Sequence, residues 1–281
     1  MENKISLVEK LGYTKDTKLL ILNCDDLGSS NSANTAIKEC FDKKCVTSST
    51  LMVPCPWAVG GYKSTSGYDI GVHLTLNCEW DNYRWSPLTK AKSLRTQDGG
   101  FYKTVPEVYQ NADLKEVQTE LKAQIQQALD WGIDITHLDS HMGPLHFRED
   151  YFRVYLDLAV EFQLPIRMPN AEFQEILGFE YRQMAQEKGV LSPDNFAFVV
   201  DGVGSRQTVI SLLDDMPNGV TECYFHPAKD TEELRAIGDD YDKRIDDFKL
   251  LIDDSCFREQ IKKLEIGLIG YREIRDVMRK S

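Results

Sequence analysis

Eight short β-rich apolar runs, separated by amphipathic helical patterns, constrain the fold of this chain more than any other feature. The runs cover residues 18–24 (KLLILNC), 48–54 (SSTLMVP), 69–76 (DIGVHLTL), 133–138 (IDITHL), 165–168 (PIRM), 196–200 (FAFVV), 219–226 (GVTECYFH) and 265–269 (EIGLI). Helical patterns fill about 31–44, 113–131, 150–163, 172–188, 205–215, 230–253 and 270–280. In the clearest of them Leu114, Val117, Leu121, Ile125 and Ala128 form one apolar stripe, with Asp113 placed to cap its start and Gly132 to end it. Strands alternating with helices predict parallel pairing in an α/β fold, a distorted TIM-like (β/α) barrel, with a doubly wound sheet as the rival. No repeat, low-complexity tract or linker interrupts the 281 residues, so one domain over 1–281 is expected.

Residues 77–112 break the rhythm. This stretch carries two tryptophans and three tyrosines with little periodicity, which reads as a long insertion after the third strand. Loops of that length in a compact domain are often functional. Trp80, Tyr83 and Trp85 are candidate substrate contacts, because aromatic rings bury large area and leave polar groups free to hydrogen-bond.

A formal charge of -12 without a basic stripe excludes a nucleic-acid backbone as partner. The charged N-terminus lacks the apolar core of a signal peptide and no run reaches the roughly 18 apolar residues of a membrane span, so a cytoplasmic protein without a membrane partner is expected. Seven cysteines without a CxxC pair read as reduced thiols filling the core.

The five histidines fall where chemistry would need them. His73, His137 and His226 lie in or at the end of strand runs, and Asp25 and Asp26 close the first run. In parallel strands these positions gather at one rim, where (β/α) barrels build active sites. Within THLDSHMGPLH, His137, Asp139 and His141 alternate and share a face as strand. Asp26 with two histidines would supply three ligands to a divalent cation such as Zn²⁺ or Mg²⁺ and leave a position open. Asp25, left unligated beside the cation, is then placed to act as general base, with His226 to protonate the leaving group.

Taken in order, CDDLG (24–28), VTSSTLMVPCPWA (46–58), GVHLTLN (71–77), THLDSHMGPLH (136–146), PIRMP (165–169) and CYFHPA (223–228) resemble the YdjC-like carbohydrate deacetylases. The resemblance runs from residue 18 to about 275. It implies a TIM-barrel-like fold and divalent-metal-dependent removal of an acetyl group from an N-acetylated sugar or oligosaccharide. Position by position, it implies Asp26, His73 and His137 as metal ligands, Asp25 as catalytic base, and His226 as acid or transition-state stabiliser. His141 falls to a supporting role or to that of an alternative ligand, and Arg167 to orienting the base or binding substrate oxygens. Departures from the pattern are Leu27 for phenylalanine, Gly143 where many relatives carry a further histidine, His146 coming later, and Ala228 for glycine. Two other readings compete: a metal-dependent phosphoesterase, and a non-catalytic sugar-binding barrel. The sequence leaves a homo-oligomer open.

Overall fold

The computed structural model describes residues 5–197, 205–253 and 255–280. Its frame is an all-parallel, curled sheet made of β1 (Lys18–Leu27), β2 (Ser48–Leu51), β3 (Ile70–Leu74), β4 (Ile135–Ser140), β5 (Asn195–Ala197), β6 (Gly219–Phe225) and β7 (Gly267–Leu268). The order is β4-β3-β2-β1-β6-β5, with β7 pairing the start of β1 at Leu19 and Leu20. This is the distorted barrel expected of alternating strands and helices. β1 is central and its side chains are buried from Leu19 to Leu27, as a parallel strand covered on both faces requires.

Seven of the eight expected strands form. Residues 165–168 contribute a single bridge, Leu138 to Ile166, and continue the curl beyond β4 without a ladder of their own. Proline at 165 and 169 removes two backbone donors, which leaves too little for a strand. The run expected at 196–200 forms β5 as far as Ala197, and the rest lies outside the described residues.

The helix Leu114–Asp130 follows its sequence pattern closely, with the Asp113 carboxylate accepting from the N–H groups of Lys115 and Glu116. Two longer patterns each divide. Residues 172–188 become Phe173–Leu177 and Tyr181–Glu187, separated at Gly178, whose φ of 77° ends the first helix. Residues 230–253 become Glu232–Ile237 and Tyr241–Asp253 across Gly238. The insertion holds one helix that its composition hid, Val105–Asn111, started by a capping box between Thr104 and Glu107. All seven cysteines are free, six of them buried and Cys256 exposed. No helix among the described residues is long and apolar enough to cross a membrane.

Candidate active site

The carboxyl ends of the strands surround a cleft of about 350 Å³, a size typical of small-molecule sites. Asp25 and Asp26 both face it, although adjacent strand residues normally point to opposite faces. The cause is an extra residue in β1: Cys24 pairs with Ser49 and Leu27 with Leu51, so three steps along β1 match two along β2. Asp26 takes up the slack with φ of 64°, a left-handed conformation that costs energy in a residue other than glycine. Gly28 follows at φ 90°, where a Cβ would lie 2.8 Å from the Ala58 Cα, so only glycine lets the turn pack this closely.

The two carboxylates have different neighbours. Asp25 Oδ1 accepts from Asn23 Nδ2 at 2.7 Å, Thr50 Oγ1 at 3.2 Å and Arg167 Nη2 at 2.8 Å, while Oδ2 accepts from Arg167 Nη1 at 2.7 Å. His226 Nε2 stands 3.9 Å from that same Oδ2, on a half-buried ring at the mouth of the cleft. Asp26 Oδ2 accepts from Arg244 Nη1 at 2.8 Å. Its other oxygen, Oδ1, is buried with no hydrogen-bond donor, yet lies 3.3 Å from both His73 Nε2 and His141 Nδ1. An orphaned carboxylate oxygen flanked by two imidazole nitrogens is a donor set that could hold a divalent cation.

The field around these rings points the same way. Burial alone would push both histidines down, but Asp139 and Asp26 hold His73 up to about 9, and Glu79 and Asp26 hold His141 up to about 10. Burial likewise opposes ionisation of Asp26, and the Arg244 guanidinium with the two imidazoles overrides it and holds that carboxyl well below the usual range. The site therefore favours positive charge at the spot where a cation would displace the ring protons.

Arg167 is fully committed. Nε donates to Glu222 Oε1 at 2.9 Å, Nη1 to Asp25 Oδ2 at 2.7 Å and Asp139 Oδ2 at 2.5 Å, and Nη2 to Asp25 Oδ1 at 2.8 Å and Glu222 Oε1 at 2.6 Å. These contacts use its five N–H donors. The expectation that Arg167 binds substrate oxygens is corrected accordingly: no N–H is left for a ligand, and what remains is the fixing of Asp25. Arg167 also decides between two ligand sets. Asp25, His73 and Asp139 converge as well, but the guanidinium already lies between Asp25 and Asp139.

His137 does not reach the cluster. It lies one inward-facing position earlier on β4 than Asp139, stacked on Tyr271 with ring centroids 3.7 Å apart and Nδ1 2.9 Å from Thr136 Oγ1. A Cβ at position 71 would come within 2.6 Å of its ring, so Gly71 makes the room for it. Burial, with Arg167 nearby, pushes its imidazole well below the ordinary value, as expected of a neutral core histidine. His141 stands in the place expected for His137. Just past the end of β4, its N–H donates to Leu74 O at 3.0 Å, which anchors it beside His73. His146 is buried at the edge of the cleft, and burial lowers it to about 4.

The three insertion aromatics are also corrected. Trp80 and Trp85 are buried, Tyr83 is half-buried, and none of them lines the cleft. They pack on one another, Trp80 edge-on to Trp85 at 5.5 Å, and Trp85 sits behind the His141 ring at 6.2 Å. The exposed apolar side chains at the cleft are Phe147 and Met142. Gly143, at φ 79°, lets Phe147 fold over it, since a Cβ there would approach the ring to 2.6 Å.

Sequence reasoning left Asp139, Glu79, Arg244 and Glu222 without a role. Asp139 was the most accessible of them, since it alternates with His137 and His141 in THLDSH. Arg244 comes from a helix more than two hundred residues from Asp26 and has no motif around it.

The chain matches a family model described as YdjC-like protein over residues 19–263. It is 34% identical over 252 residues to a carbohydrate deacetylase of Thermus thermophilus, covering 88% of this chain and 90% of that one. A carbohydrate deacetylase of Listeria monocytogenes is 30% identical over 268 residues, covering 91% of this chain and 99% of that one. A crystal structure from Enterococcus faecalis V583, described as a candidate cellobiose-phosphate cleavage protein, superposes with a TM-score of 0.81 at 28% identity, covering 92% of this chain and 99% of that one. With the family model spanning most of its length and the barrel-rim site in place, this chain belongs to the YdjC-like protein family.

Proposed function

We propose that this chain is a single-domain, cation-dependent carbohydrate deacetylase that hydrolyses the N-acetyl group of a small amino sugar or short oligosaccharide. The observation that carries this reading is the orphaned Asp26 Oδ1 between His73 and His141, with Asp25 beside it and bound to no imidazole. Relatives named for this activity support the substrate class. Two imidazoles and one carboxylate suit Zn²⁺ or another first-row divalent ion better than Mg²⁺, which prefers oxygen ligands. When bound, such an ion would polarise the acetamide carbonyl and make water more acidic.

The protein's own residues do the rest. Asn23, Thr50 and Arg167 Nη2 hold Asp25 Oδ1, whereas Oδ2 accepts from Arg167 Nη1 alone and faces His226, so Oδ2 keeps a lone pair to take a proton from the attacking water. His226, at the mouth, is positioned to protonate the departing sugar amine. Phe147 offers a ring face at the rim where a pyranose can lie. A phosphoesterase with two cations fits less well, because Arg167 occupies the second convergent ligand set.

The test is metal analysis followed by acetate release from a panel of N-acetylated mono- and disaccharides. One divalent ion per chain is expected, with acetate and free amine formed in equal amounts, chelation stopping turnover and added cation restoring it. Full activity after exhaustive chelation, or no acetate from any sugar with the loaded protein, rejects the reading. The sugar platform has its own test: Phe147→Ala should raise KM by about 2- to 10-fold, the value of one ring contact, with kcat little changed. Unchanged KM on a good substrate would remove Phe147 from the binding surface.

A further inference from the structure

The insertion at 77–112 does not line the cleft with its tryptophans, yet it brings one acidic side chain, Glu79, against His141. Glu79 Oε2 lies 3.0 Å from His141 Nε2, while His141 Nδ1 faces Asp26 Oδ1 at 3.3 Å. The residues on either side of Glu79 are pinned: Arg84 donates from Nη1 to the carbonyls of Cys78 and Trp80, and from Nη2 to Phe101 O. Trp85 Nε1 donates to Asn77 O at 2.7 Å, which places the indole behind the His141 ring. The other imidazole is held the opposite way round, with His73 Nδ1 2.7 Å from Asp139 Oδ2 and Nε2 turned to Asp26.

From this arrangement we propose that Glu79 is a positioning residue for a cation held by Asp26, His73 and His141, and that the insertion serves to carry it. Resting on the cation site proposed above, the inference adds the residue that fixes how one ligand is presented. By accepting the Nε2 proton, Glu79 leaves Nδ1 as the lone-pair nitrogen aimed at Asp26. A carboxylate on the far nitrogen of a ligating imidazole fixes its tautomer and ring angle and raises its basicity, and losing one typically weakens metal binding 10- to 100-fold. The two rings thus present different nitrogens to one oxygen, Nε2 from His73 and Nδ1 from His141, each 3.3 Å from Asp26 Oδ1.

Competition of Zn²⁺ between the apo protein and a chromophoric chelator tests this without recourse to turnover. Glu79→Ala should bind Zn²⁺ 10- to 100-fold more weakly, and Glu79→Gln, which keeps an acceptor oxygen without the charge, should fall between it and the wild type. Glu107→Gln disturbs the same insertion at its capping box, where the exposed carboxylate accepts from Thr104 and touches no imidazole, and should leave the affinity unchanged. Melting of the apo variants reports any general loosening. Wild-type affinity in Glu79→Ala overturns the proposal, as does an equal loss in Glu107→Gln, while the cation site itself stands. A wild-type protein that takes no Zn²⁺ from the chelator overturns both.

Discussion

Asp25→Asn should retain its cation and its affinity for sugar but hydrolyse roughly two to four orders of magnitude more slowly, the usual contribution of a general base. The substitution keeps the shape of the side chain and removes the group that takes up a proton. Its oxygen can still accept from Asn23 and from Arg167 Nη2, as Oδ1 does in the parent. The new amide nitrogen then faces Arg167 Nη1, donor against donor, in place of a 2.7 Å charged contact. Breaking one arm of a buried ion pair costs stability. The comparison therefore needs melting curves and metal content alongside kinetics, taken where the variant is folded. Wild-type turnover in a folded, metal-loaded Asp25→Asn would end the assignment, and His226, 3.9 Å from the same oxygen, would be the next residue to test.

Much of this site was legible from strand ends alone. Asp25, Asp26, His73 and His226 each stand where a parallel strand run stops, and parallel strands bring their carboxyl ends to one rim. The bulge that turns both aspartates inward was not legible, because the extra residue exists only relative to β2 and leaves no mark within CDDLG. The position of His137, expected beside Asp26, was misjudged for a related reason. Alternation places His137, Asp139 and His141 on one face, but says nothing of depth, and the rim lies at the strand's end rather than its middle. His137 falls inside the barrel against Tyr271. The insertion aromatics illustrate a different limit: a tryptophan in a long loop reads equally as ligand platform or loop packing, and the choice depends on what the loop covers. Here it covers His141. Arg244 and Glu222 reach the site from distant segments, and only the curled sheet with its packed helices brings them near.

The exchange of His141 for His137 has a direct experimental signature, and the two substitutions should separate in opposite directions. His141→Ala removes a nitrogen 3.3 Å from the orphaned Asp26 oxygen, so Zn²⁺ affinity should fall by more than the 10- to 100-fold expected for losing a supporting carboxylate, and activity should go with it. Fold stability of the apo protein should change less. With the ring gone, Glu79 faces open cleft and can be hydrated, since its side chain is already 24% exposed. His137→Ala should do the reverse. It leaves a cavity under Tyr271 in the barrel interior, which costs roughly 2–5 kcal/mol by analogy with other large-to-small core changes, while metal content stays at one ion per chain. His137→Phe keeps a ring against Tyr271 and should recover part of that stability with its cation retained, which a substituted metal ligand could not do. Metal analysis and melting of the three variants decide the matter. If His137→Phe loses its cation while folded and His141→Ala keeps it, the ligand set returns to Asp26, His73 and His137, and the rings would have to rearrange on binding to reach it.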